Sequence, residues 1–256
     1  MLRFCKRLKE KAEDRFARPV IYVAFGDSVT QGFREHDPAG SPLYHEDVYH
    51  AQFQRRVHAQ FPGTVLSVIN AGVACDTAHG GLRRLKRDVL AFDPDLVTVS
   101  FGLNDSGAGI EGLEIYASSL RRMAEGIQGQ TKADLVFITP NMMLTGVNPN
   151  IHKNQRELVA PMIKRSQEGI VDAYAKTMRV VARELDIPIV DAFSVWRRWE
   201  SGGRDINLLL ANGTNHPGEE GHELVARLLF EILKAYSGNM YRPKHSQLEN
   251  LRECNS

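Results

Sequence analysis

Small and polar residues follow several short apolar runs of the chain, and they carry the groups that acyl transfer requires. Gly26-Asp27-Ser28 follows the first run, Asn70-Ala71-Gly72 the second, and Gly102-Leu103-Asn104-Asp105 the third. His216 lies in a polar segment, residues 212–217, just before the last helical pattern. Acyl transfer needs a nucleophile, a base and N–H donors where the oxyanion develops. The segments supply these groups if the fold brings them together.

Five apolar runs predict the strands that would position these groups. The runs are short, rich in β-branched residues, and bounded by Gly, Pro or Asp. Their apolarity is nearly continuous, which is typical of parallel strands covered on both faces. They span residues 22–25, 64–69, 96–101, 135–138 and 188–190.

Between the runs, apolar residues recur at helical spacing, as they do over 48–61, 82–90, 170–185 and 224–233. Strands that alternate with helices form right-handed βαβ units. We therefore predict an α/β fold, a single doubly wound three-layer α/β/α domain. Its five-stranded parallel sheet should have the flavodoxin-like order 2-1-3-4-5. Ligands of such sheets bind outside the carboxyl ends of the strands, where the polar segments would meet.

The ordered polar segments resemble the motif blocks of the SGNH, or GDSL-type, esterase and lipase superfamily. The first block is similar to residues 25–32, Phe-Gly-Asp-Ser-Val-Thr-Gln-Gly. Residues 70–72, residues 102–105 and His216-Pro217 are similar to the later blocks, in the right order. A single block would be weak evidence, whereas four in order between residues 20 and 236 are specific. The resemblance implies a serine esterase.

The resemblance also implies a role for each residue. Ser28 would be the nucleophile and His216 the general base. The N–H groups of Ser28 and Gly72, with the side chain of Asn104, would form the oxyanion hole. Asp27 is expected to support the loop by accepting backbone N–H bonds. We expect no metal and no cofactor.

One position departs from the family pattern. The family usually has an aspartate three residues before the histidine, and that position here is Gly213, with Asn212 one residue further back. An asparagine cannot stabilise an imidazolium as a carboxylate does. Asn212, Asp191, Asp205 or a backbone carbonyl could orient the ring. A catalytically weakened binding module on the same fold is the alternative function.

Composition narrows the range of partners. The net charge of +1 argues against nucleic acid and favours an uncharged small-molecule ester. No apolar stretch approaches the ~20 residues of a membrane span, and the N-terminus has no signal-peptide pattern. We therefore expect a cytoplasmic protein without stable membrane insertion. A small acyl group such as acetyl on a carbohydrate is favoured, and lysophospholipid or thioester hydrolysis is the alternative.

Three parts of the chain are predicted. Residues 1–19 should form a charged helical extension that is solvated or frayed, because its apolar positions are irregularly spaced. Residues 20–236 should form the hydrolase domain, and residues 237–256 a polar tail. Within the domain, residues 142–161 are predicted to form a long loop over the sheet.

Overall fold

The computed structural model describes residues 2–237. Its strands are β1 (Val20–Gly26), β2 (Phe33–His36), β3 (Pro42–Tyr44), β4 (Leu66–Gly72), β5 (Leu96–Ser100), β6 (Asp134–Ile138) and β7 (Ile189–Val190). Five of them form one parallel sheet in the order β4-β1-β5-β6-β7. This arrangement confirms the predicted fold class and the order 2-1-3-4-5. The polar tail predicted over 237–256 lies outside the described residues, except for Ser237.

Helices cover both faces of this sheet. They are α1 (Leu2–Glu13), α2 (Ser28–Gln31), α3 (Tyr49–Gln60), α4 (Ala78–Asp88), α5 (Leu113–Gln130), α6 (Arg156–Gln167), α7 (Ile170–Glu184), α8 (Ala192–Ser201) and α9 (Glu219–Ser237). Alternate residues of β1 point into opposite layers. Val23 and Phe25 pack with α4, α5 and α7, whereas Tyr22 and Ala24 pack with α1, α3 and α9. Burial on both faces is why the strand sequences are apolar almost without interruption.

The N-terminal helix is part of the core, so the prediction of a solvated or frayed segment was wrong. Phe4 and Leu8 are fully buried, and Cys5 is nearly so. They pack in the same cluster as β1, α3 and α9. Phe4 and Leu8 are four residues apart and so share one face of the helix. The many charged residues around this narrow stripe obscured it in the sequence.

A buried carboxylate fastens this helix to the sheet. Asp95, at the start of β5, has no solvent exposure. Its side chain accepts the backbone N–H of Ile21 at 3.0 Å and also accepts from Arg7 Nε at 3.2 Å and Arg18 Nη2 at 2.8 Å. Two guanidinium groups and one backbone amide therefore compensate the buried charge, as burial of a carboxylate requires.

The loop predicted over 142–161 is only partly a loop. Residues 156–167 form α6, which contains Pro161. Pro161 is the sixth residue of this helix, so its missing N–H removes one intrahelical hydrogen bond. The remaining stretch is anchored by the buried side chains of Met142, Met143 and Leu144. The hairpin β2–β3 was not predicted either.

Truncation of Phe4 tests the role of the N-terminal helix. Phe4→Ala should lower the free energy of unfolding by about 3–5 kcal/mol, because it removes a buried ring and leaves a cavity. Phe16→Ala is the matched control, since Phe16 is 83% exposed, and should change stability by less than about 0.5 kcal/mol. Urea unfolding of both variants measures the difference. Equal stabilities would contradict the packing of α1.

Candidate active site

Ser28 is held at a tight turn where β1 meets the short helix α2. Asp27 caps this helix, and its Oδ1 accepts the Val29 N–H at 2.9 Å. A Cβ on Gly26 would lie 2.6 Å from the Ser100 carbonyl oxygen, so the turn has no room for a side chain there. Ser28 is thereby placed at the carboxyl edge of the sheet, with its N–H at the free N-terminal end of a helix.

His216 is far from Ser28 in the sequence but contacts it in the fold. Its Nε2 lies 2.7 Å from Ser28 Oγ, and both side chains are buried. The loop that carries it is closed by a bridge between Leu210 and Pro217 and by a hydrogen bond from Ala211 N–H to the His216 carbonyl. The ring of Phe33, from β2, packs edge-on against the imidazole at 4.6 Å. The structure thus brings the predicted nucleophile and base together.

Burial keeps the imidazole uncharged. Desolvation, together with charge repulsion from the nearby His36, lowers the pKa of His216 to about 3. A general base must be uncharged, and this ring stays uncharged well below neutral pH.

Asn212 lies against the far side of the ring. Its Oδ1 accepts three backbone N–H groups, those of Thr214, Asn215 and His216, each at 3.0 Å. Its Nδ2 lies 2.7 Å from His216 Nδ1. Gly213 turns the loop with φ of 72°, in the left-handed region that glycine favours.

The two aspartates that were alternatives for this position bond elsewhere, which corrects both expectations. Asp191 caps α8 and forms a two-point ion pair with Arg179 at 2.8 and 2.9 Å. Asp205 accepts from the backbone N–H of Asn207. Among the residues suggested, only Asn212 touches the imidazole. Asn212 precedes His216 by four residues, one more than the usual three, and this is why a fixed three-residue offset pointed to Gly213.

Asn104 is placed at the end of β5. Its Nδ2 donates one N–H to the Asp76 carbonyl at 2.9 Å, which leaves the second N–H of the amide for another acceptor. The neighbouring Asp105 accepts the Ala78 N–H at 2.9 Å and so joins β5 to the start of α4. Asn104 is therefore fixed by the turn that follows β4.

Two buried carboxyl groups lie near this edge of the sheet. The pKa of Asp27 is raised to about 7, mainly by desolvation and also by the charges of Asp105 and Asp76, against the opposing effect of the Val29 N–H. Desolvation likewise raises the pKa of Asp105 to about 6. Both have backbone N–H partners, which suits a supporting role in the loops.

Gly72 does not offer the free N–H that was expected of it. Its N–H donates to Asn70 Oδ1 at 3.0 Å. A Cβ at Gly72 would lie 2.2 Å from Gln31 N, so glycine is needed there because α2 packs directly on β4. The N–H groups of Ser28 and Cys75 have no hydrogen-bond partner within residues 2–237. Cys75 is exposed and has a φ of 60°, which is uncommon outside glycine.

Arg84, which sequence reasoning missed, links the strand ends that surround Ser28. Its guanidinium donates to the carbonyl oxygens of Ala71 at 2.7 Å and Gly26 at 2.8 Å, and its Nε bonds Asp76 at 2.7 Å. It also lies over the ring of Phe25. An arginine inside an amphipathic helical pattern carries no sequence signal for this role, because the two partners that link the strand ends are backbone carbonyl groups.

Residues 24–224 match the model of the GDSL-like Lipase/Acylhydrolase family. An uncharacterized lipoprotein, YqeF, of Bacillus subtilis (strain 168) is 24% identical over 216 residues, which cover 82% of this chain and 86% of the relative. No helix within residues 2–237 has the length and apolarity to cross a bilayer. The expected cytoplasmic location stays a prediction, since that relative is described as a lipoprotein.

Solved structures share the fold. A lipase/acylhydrolase from Enterococcus faecalis has a TM-score of 0.63 at 23% identity, over 88% of this chain and 99% of the other. Axe2, an acetylxylan esterase from Geobacillus stearothermophilus, has a TM-score of 0.63 at 21% identity, over 88% and 97% of the two chains. The family match spans most of the domain and includes the four motif blocks. The chain therefore belongs to the GDSL-like lipase/acylhydrolase family and is a carboxylic ester hydrolase.

Proposed function

We propose that this protein hydrolyses a small acyl ester, such as acetyl on a carbohydrate, through an acyl-enzyme on Ser28. The observation that carries the proposal is the 2.7 Å contact between Ser28 Oγ and His216 Nε2 at the carboxyl edge of the sheet. A buried serine within hydrogen-bond reach of a neutral imidazole places a nucleophile beside a nitrogen that can take its proton when that nitrogen is unprotonated.

The reaction has two halves. With the ring proton on Nδ1, Ser28 Oγ attacks the carbonyl carbon while its proton passes to His216 Nε2, and the tetrahedral intermediate then expels the alcohol, which takes that proton. Water attacks the acyl-enzyme, gives a proton to the same nitrogen and releases the acid as Ser28 recovers its hydrogen. The Ser28 N–H and the free N–H of Asn104 are the candidate oxyanion donors. Gly72 could donate only after Asn70 moves.

The surroundings of the catalytic pair favour a small acyl group carried on a sugar. Near the catalytic pair, Phe33 packs against Tyr44, whose side chain is half exposed and could support a sugar ring. The similar fold of an acetylxylan esterase is consistent with this choice.

Replacement of the nucleophile is the direct test. Ser28→Ala should lower kcat for p-nitrophenyl acetate by at least about 10³-fold, because no covalent intermediate can form. A fluorophosphonate should label the wild type on Ser28, as located by mass spectrometry, and should not label this site in Ser28→Ala. Ser106→Ala is the matched control, since Ser106 is a buried serine that bonds the Leu103 carbonyl. Wild-type activity in Ser28→Ala would remove the proposal.

The pH dependence follows from the burial of His216. Because the pKa of this ring is lowered to about 3, the base stays unprotonated above that value, and kcat/KM should be flat from about pH 8 to pH 5. Activity should fall only as the pH approaches 3. A stopped-flow pH jump, with circular dichroism at each pH, separates this loss from unfolding. Half-maximal activity near ~6.5, the ordinary histidine value, would contradict the structure.

Acyl-chain length tests the substrate class. We expect kcat/KM for p-nitrophenyl acetate to exceed that for the decanoate by at least about 10-fold, because a site that fits an acetyl group leaves the rest of a long chain outside it. Measurement below the critical micelle concentration avoids an effect of substrate aggregation. A preference for the decanoate would instead support lysophospholipid or long-chain thioester hydrolysis.

A further inference from the structure

We infer that Asn212 holds His216 in the tautomer whose proton is on Nε2, which is the opposite of the tautomer that a general base needs. Asn212 is thus a positioning residue that keeps the resting site slow. The inference about rate rests on the proposed function, whereas the tautomer itself does not.

The orientation of the Asn212 amide follows from its neighbours. Three backbone N–H groups, those of residues 214, 215 and 216, converge on one end of the amide at 3.0 Å. Each of these groups is a donor only, so the atom they meet must be an acceptor. That end is therefore the oxygen. Turning the amide over would set its NH₂ group against three donors in a buried loop, which is strongly unfavourable.

The other end of the amide is consequently an NH₂ group with two hydrogens to donate. One hydrogen reaches Asn215 Oδ1 at 3.1 Å, and the other points at His216 Nδ1, 2.7 Å away. Nδ1 must then accept, which places the single proton of the neutral ring on Nε2. The resting Nε2–H donates to Ser28 Oγ at 2.7 Å.

This arrangement opposes proton transfer at both ends of the ring. Nε2 cannot take the Ser28 proton while it carries its own. If the ring did become an imidazolium, its Nδ1–H would face the Asn212 NH₂ group, donor against donor. In serine proteases, exchange of the orienting aspartate for asparagine leaves the geometry intact but costs about 10⁴ in kcat through the same tautomer.

A carboxylate at this position would remove both obstacles. One oxygen of an aspartate could accept the three backbone N–H groups, and the other could accept the Nδ1–H of His216. The Asn215 amide, which now presents its oxygen to Asn212 and to Thr214 Oγ1, could turn over and donate. The Thr214 hydroxyl would then act as an acceptor. The loop therefore needs no backbone change.

The wild-type tautomer is measurable without any activity. Nitrogen-15 NMR of protein labelled at histidine distinguishes a protonated from an unprotonated ring nitrogen. The His216 signals are those that disappear in His216→Gln and shift in Ser28→Ala. At pH 7 we expect Nε2 protonated and Nδ1 unprotonated in the wild type. Nδ1–H in the wild type would overturn the inference, whether or not the protein has esterase activity.

The variant Asn212→Asp supplies the kinetic test. We expect its kcat for p-nitrophenyl acetate to rise by roughly 10²–10⁴-fold, with the ring proton moved to Nδ1. Asn215→Asp is the matched control, because it adds the same charge to the same loop without touching Nδ1. An equal rise in both variants would assign the effect to charge alone and overturn the inference.

Two further results keep the outcomes distinct. Adding Ser28→Ala to Asn212→Asp should abolish the rise in kcat. If the rise persists, the proposed nucleophile is wrong. The tautomer can still be measured by NMR in that case. If Asn212→Asp folds, as shown by circular dichroism, but its kcat does not rise, the inferred role of Asn212 fails. If it does not fold, the wild-type NMR spectrum decides.

Discussion

One contact, between Ser28 Oγ and His216 Nε2 at 2.7 Å, joins residues 188 positions apart in the sequence. Neither residue could hold that distance alone, because a serine on a turn and a histidine on a loop each have many conformations. The parallel sheet solves this problem by ending its strands at one edge. The turn after β1 then presents Ser28, while the closed loop before α9 presents His216 across the same edge. The Arg84 side chain, which donates to the carbonyl groups of Gly26 and Ala71, joins the ends of β1 and β4.

Burial of this contact determines the electrostatics around it. Excluding water lowers the pKa of His216, and it raises the pKa of Asp27 and Asp105. The same physical cause therefore keeps the imidazole neutral and increases the protonated fraction of the two carboxyl groups. N–H donors also act more strongly in such a dry interior.

The sequence was sufficient for the sheet, because buried parallel strands have an apolar pattern that few other elements share. The sequence was insufficient where a few specific contacts decide the position of a residue against what its neighbours in the sequence suggest. Two buried residues of α1, Phe4 and Leu8, outweigh the seven charged residues of the same helix. Gly72 looked like an oxyanion donor, but its lack of a side chain serves the packing of α2. Positions that depend on the path of a loop, such as Asn212, could not be placed by counting from His216.

The loop around Asn212 shows how little separates a fast site from a slow one. Three N–H groups directed at one oxygen form a strong anion site, since hydrogen bonds to a charged acceptor are roughly twice as strong as those to a neutral one. Asn212 places a neutral amide oxygen there, so the three hydrogen bonds are weaker than those that a carboxylate would receive. The fold needs only an oxygen at this point, which either residue supplies. The chemistry needs an acceptor at His216 Nδ1, which the amide oxygen cannot provide while the backbone N–H groups hold it. Folding requires an oxygen that accepts the backbone N–H groups, and catalysis requires a second acceptor at Nδ1. Asn212 supplies the first and not the second.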